Sequence, residues 1–114
     1  MNLSYRDLIV RDYCYSINPD LSNNRFTINE IVAIRSHIAD LRSASSLADA
    51  PINYDLVIDD KGQIRLIVQF DYIKIICAII STLKNPNPNQ IKRIQVLDIV
   101  RIDLHLADLN AYSA

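Results

Sequence analysis

Apolar positions along this chain follow two periods, and the switches between them mark the predicted elements. From residue 4 to about residue 17, Tyr5, Leu8, Ile9 and Tyr13 recur at helical spacing, while Arg6, Asp7 and Arg11 fall mostly elsewhere. That pattern predicts a first helix with Ser4 as its N-cap, stopped ahead of Asn18-Pro19. Val10, Cys14 and Ile17 widen its apolar surface, so the helix is expected to have neighbours on two sides. Residues 18–25 are polar and rich in turn formers, which reads as a loop.

The second helix has the clearest start signal. Thr27-Ile28-Asn29-Glu30 fits a capping box, in which a hydroxyl and a carboxylate reciprocally satisfy free backbone donors, and Phe26 and Ile31 occupy the hydrophobic-staple positions. This helix is expected to run to about Arg42 and to give way to a flexible connection, Ser43-Ala44-Ser45-Ser46, reaching Pro51.

After Pro51 the period becomes two. Ile52, Tyr54, Leu56 and Ile58 alternate with Asn53, Asp55, Val57 and Asp59; beyond Asp60-Lys61-Gly62, Ile64, Leu66, Val68 and Phe70 alternate with Gln63, Arg65, Ile67 and Gln69. Two such runs around an Asp/Gly turn predict a β-hairpin. Val57 and Ile67 fall on its otherwise polar face, so part of that face is expected to be covered as well. A lone hairpin is marginal in water and needs helices or a further strand against it.

From Asp71, read as an N-cap, to about Lys84, the residues Tyr72, Ile73, Ile75, Ile76, Ile79, Ile80 and Leu83 gather on one broad helical arc opposite Lys74, Ser81, Thr82 and Lys84. The arc predicts a third, amphipathic helix. The last segment is ambiguous. Asn87, Pro88 and Gln90 carry a helix-start signature, yet Val100, Ile102, Leu104 and Leu106 alternate with Arg101, Asp103 and His105. A short helical turn followed by a strand over residues 94–106 is the reading preferred, with one long C-terminal helix as the alternative.

The elements add up to an α+β fold in one small domain, residues 1–114: two N-terminal helices, a β-hairpin, a third amphipathic helix and a C-terminal strand. Composition narrows the function further. Gly62 is the one glycine in 114 residues, and it is already placed in the hairpin turn. None remains for a glycine-rich phosphate loop, a dinucleotide fingerprint or a nucleophile elbow. The formal net charge of -1 exerts no global pull on nucleic acid or anionic membrane. Cys14 and Cys77 lack metal or redox spacing and read as buried small hydrophobes in a reducing compartment. Charged residues interrupt the N-terminus, and the longest apolar stretch, residues 75–80, is far shorter than the roughly 20 residues a membrane helix needs. A soluble, cytoplasmic protein is expected.

Few residues invite chemistry. His37 and His105 lack partners at ligand spacing, Asp59 and Asp60 suit a turn, and Ser43, Ser45 and Ser46 have no identifiable base. Asp98, Asp103 and His105 would have to meet in a deep pocket to make an enzyme. No catalytic residue, metal site or cofactor is therefore assigned. Arg35 and Arg42 lie one heptad apart on the second helix, within an arc of Ile28, Ile31, Val32, Ile38 and Ala39. They either snorkel from the core margin or pair with a carboxylate, or else, with Ile31 and Ile38, anchor an interface. Lys92, Arg93 and Arg101 could form a modest basic patch, diluted by Asp98 and Asp103. The expectation is a small non-catalytic protein–protein interaction or regulatory module (an adaptor, inhibitor or immunity-type protein) that binds another protein or its own copy as a homo-oligomer. The alternative is a nucleic-acid-binding accessory protein using the local Arg/Lys patch.

Overall fold

Isoleucine and valine are stiff at χ1 and favour a pleated surface over a helix, and the isoleucine-rich second half of this chain folds as strands. The computed structural model describes residues 1–15 and 25–102. In chain order these form β1 (Asn2–Tyr5), α1 (Leu8–Tyr15), α2 (Ile28–Ser43), a short 3-10 turn (Leu47–Asp49), β2 (Asp55–Ile58), β3 (Ile64–Phe70), β4 (Ile73–Ile79), a second 3-10 turn (Pro88–Gln90) and β5 (Arg93–Arg101). The strands make one mixed sheet in the order β1-β5-β4-β3-β2. Strands β2 to β5 are an antiparallel meander, and β1 lies parallel to β5 at the far edge. An α+β architecture is present, with two helices and five strands. No helix among the described residues is long and apolar enough to cross a membrane.

The second helix forms as its start signal predicts. The Thr27 Oγ1 accepts the Glu30 N–H at 3.1 Å, and the Thr27 N–H donates to Glu30 Oε1 at 2.8 Å. Its buried residues, Ile31, Ile34, Ile38 and Leu41, recur at helical spacing and face the sheet. They meet Leu66, Val68, Ile73, Ile75, Cys77, Ile94, Val96 and Ile99, which with Val10 and Cys14 of α1 make one continuous core.

The first helix starts later than expected. Ser4 lies in β1, opposite Gln95 of β5, and Asp7 starts the helix instead: its Oδ1 accepts the Val10 N–H at 2.9 Å. The expected end at Ile17 and the Asn18-Pro19 stop lie outside the described residues.

The third helix is not formed; β4 occupies its place. Phe70 and Ile73 are paired across a two-residue turn, Asp71-Tyr72, and Asp71 takes a positive φ of 49°. Aspartate tolerates this conformation better than most residues, so it serves as a hairpin turn former and not as a helix cap. In β4, Ile73, Ile75 and Cys77 point to the helices and Ile76 to the other side. A central strand with apolar residues at both parities imitates a broad helical arc, and its β-branched content is what decides for strand. The third strand that supports the hairpin is thus β4, reached by a tight turn. The preferred reading of the last segment is present as the turn Pro88–Gln90 followed by β5, and a helix over this stretch is excluded; residues 103–106 of the expected strand lie outside the described residues.

One irregularity sets the faces. Ile76 pairs with Asp98 but Cys77 pairs with Val96, so Leu97 is an extra residue in β5. This bulge brings both Val96 and Ile99 to the helix side and turns Val100 to the opposite one.

Candidate interaction surface

Helices cover one face of the sheet, and among the described residues no helix or strand forms a second layer over the outward residues of the five strands. On that open face Ile67 of β3 pairs with Ile76 of β4, which pairs with Asp98 of β5. Val57 of β2, Ala78 of β4, and Leu97 and Val100 of β5 extend the apolar centre, and all six apolar residues retain accessible surface. Arg65, Gln69, Lys74, Gln95 and Asp98 frame it. The arrangement is an apolar centre with a polar rim, the usual anatomy of a protein-binding patch. At the end near the hairpin turn a groove of about 470 Å³ opens between this face and the segment after β4, lined by residues including Arg65, Ala78, Ile80, Leu83 and Leu97. Arg65 is held there by Asp59 at 3.3 Å and by Gln63 at 2.7 Å.

The residues singled out on α2 have different surroundings. Ile31 and Ile38 are 3% and 0% exposed and face the sheet, so in the isolated chain neither reaches the surface. Arg35 crosses to α1, where its Nε donates to the Tyr13 carbonyl at 3.2 Å and its Nη2 to the Asp12 carbonyl at 3.0 Å. Both carbonyls lie near the end of the described part of α1. Arg35 thereby ties α1 to α2. Arg42 is exposed, with its guanidinium 5.0 Å from the centre of the Tyr15 ring. Ile28 and Val32, from the same expected arc, face away from the sheet and are largely exposed.

The three cations of the basic patch do not gather. Lys92 and Arg93 lie at the start of β5 and Arg101 at its end, roughly 25 Å away along a nine-residue strand. Arg101 sits on the helix side and donates from Nε to Glu30 Oε2 at 3.2 Å and from Nη2 to the Arg25 carbonyl at 2.9 Å. It fastens the end of β5 to the capping box of α2. That hydrogen bond, with the Thr27 backbone N–H, holds the Glu30 carboxyl below its ordinary range.

His37, which lacks partners at ligand spacing, lies flat on Phe70 with ring centres 3.9 Å apart and its Nδ1 2.8 Å from the Ala33 carbonyl. Burial pushes the Cys14 thiol up to about 12 and raises that of Cys77 too, so neither is poised as a nucleophile. Among the described residues no three His, Cys, Asp or Glu side chains converge to hold a metal ion. Asp103 and His105 lie outside the described residues.

The open face has a partial signature in the sequence, because Val57 and Ile67 break the alternation of the hairpin. Ile76, Leu97 and Val100 carry no such mark: the first lies in the segment read as helix, and the bulge that exposes the others leaves no trace in the spacing. No family model, curated protein or solved structure matches this chain, so function rests on the geometry.

Proposed function

We propose that this chain is a small, non-catalytic protein–protein interaction module of the adaptor, inhibitor or immunity type, which binds its partner on the open face of the sheet and also self-associates. The observation that carries the reading is the half-buried apolar centre around Ile67 and Ile76, which no helix or strand of the described residues covers and which charged and amide side chains on adjacent strands frame. Proteins seldom leave such a continuous patch to solvent without a use for it. The interface residues move accordingly, from the Arg35, Arg42, Ile31 and Ile38 set of α2 to Val57, Ile67, Ile76, Leu97 and Val100. A cytoplasmic location goes with this reading, since both cysteines are free thiols.

The test is a differential capture. Tagged wild type and an Ile76→Lys variant are used to retain proteins from an extract of the native cell. The reading expects a partner held by wild type and released by the variant at unchanged secondary structure. A partner held equally by both would overturn it. The nucleic-acid alternative draws no support from the placement of Lys92, Arg93 and Arg101, and Arg35 is engaged with α1.

A further inference from the structure

Among the described residues the sheet has two edges, β1 and β2, and β2 is the one whose residues are all exposed. We propose that β2 pairs antiparallel with β2 of a second copy of this chain, about a two-fold axis through Leu56, so that two five-stranded sheets become one. This rests on the self-association in the reading above and names the surface responsible.

The backbone direction follows from the hairpin. The Asp59 N–H donates to the Gln63 carbonyl at 2.9 Å, which makes Asp59 and Gln63 a hydrogen-bonded pair. Hydrogen-bonded and non-bonded pairs alternate along an antiparallel ladder. Val57 with Arg65 and Asp55 with Ile67 are therefore the bonded pairs, and the N–H and C=O groups of Leu56 and Ile58 point to the free edge. Strand β2 is last in the sheet order and all four of its residues are exposed, Ile58 by 73%. Natural edges are blunted by shortness, charge, proline or a bulge. Strand β2 is short and starts with Asp55, but it carries no lysine, proline or bulge, and its last three residues, Leu56-Val57-Ile58, are apolar.

Side chains favour a second copy over an unrelated strand. Only registers centred on a residue keep matching faces together under a two-fold axis. Centring on Asp55 or Val57 would set Asp55 opposite Asp55 or Asp59 of the other copy, a like-charge pair, and centring on Ile58 would run the ladder past the end of β2 into the turn residues Asp60 and Lys61. Centring on Leu56 sets Leu56 opposite Leu56, Tyr54 opposite Ile58 and Asp55 opposite Val57, with no like charges directly facing. In that register the two Leu56 residues exchange N–H···O=C bonds, and their side chains continue the row that Leu66 occupies on the helix side of the sheet. The contact is isologous and closes at two copies. It also doubles the open face into one ten-stranded surface.

The test is sedimentation of the full chain over a concentration series, with two variants. Wild type is expected to move from the 13.0 kDa chain mass to twice that value. Leu56→Pro removes an N–H that β3 does not use, and Ile58→Lys places a charge on the edge; each is expected to weaken the dimer about tenfold or more while cooperative melting persists. Amide exchange at Leu56 and Ile58 should slow as concentration rises, with Val57 protected throughout. A wild type that stays monomeric, a dimer indifferent to both substitutions, or open-ended polymers would each overturn the proposal. The two readings fail separately: Ile76→Lys probes partner binding on the open face, and Leu56→Pro probes only the edge.

Discussion

Gly62 has a φ of 78°, and a Cβ built on it would meet nothing within 4 Å. Its necessity is therefore conformational: it is the last residue of the Asp59-to-Gly62 turn, and its N–H donates to the Asp59 carbonyl at 3.0 Å. Gly62→Val is expected to lower stability by about 1–2 kcal/mol, and Gly62→Asn by less than Gly62→Ala despite its larger side chain. Urea titration ranks the three; an order that followed side-chain size would make space, not backbone angle, the cause. Glu30 supplies a pH test at the same scale. Its carboxyl is held below its ordinary range first by Arg101 and then by the Thr27 N–H. A group depressed in the fold contributes stability that is complete above its unfolded value of about 4.3 and is lost as pH falls through the folded one. The lead of wild type over Glu30→Gln, measured by urea titration at about pH 7, should shrink steadily toward about pH 3.

Among the elements, Asp71 separates the two ways of reading the segment that follows it. A helix cap tolerates threonine, whose hydroxyl caps nearly as well as aspartate. A turn residue at a φ of 49° instead tolerates glycine within about 0.5 kcal/mol and loses about 1–2 kcal/mol on going to β-branched threonine. Thermal melts of Asp71→Gly and Asp71→Thr check this, and a threonine variant as stable as wild type would contradict the turn. The elements legible in the sequence are those whose signals are local: the Thr27–Glu30 box for α2 and the apolar/polar alternation on either side of Gly62 for the hairpin. Strand β4 was hidden because it is apolar at both parities, and β1 because four residues, Asn-Leu-Ser-Tyr, become a strand only when β5 pairs with them. The candidate site inherits the same limits. Val57 and Ile67 stand out of pattern along the hairpin, whereas Ile76 and Val100 join them only once β4 is a strand and the bulge at Leu97 has turned the face.

At the scale of the whole molecule the claim to be tested is that the sheet has one closed and one open side. Ile75 and Ile76 are sequence neighbours on the same central strand, and the pleat sends them to opposite faces. Ile75 is 0% exposed, packed with Ile99 beneath the helices. Ile76 keeps accessible surface and faces Asp98 across the ladder. A lysine at Ile75 would place an unpaired charge in the core, at a cost of about 4 kcal/mol or more, which is most of the stability of a small domain. A lysine at Ile76 keeps its ammonium in water and lies opposite an aspartate, so its cost should stay at about 1 kcal/mol or below. Circular dichroism and thermal melting of the two variants decide between them. If Ile76→Lys unfolded the chain as Ile75→Lys does, a second layer would have to cover the outer face, and the surface that carries the proposed function would not exist. If it folds and melts near wild type, the same variant becomes the tool for the capture experiment, because any partner it loses is lost from an intact sheet.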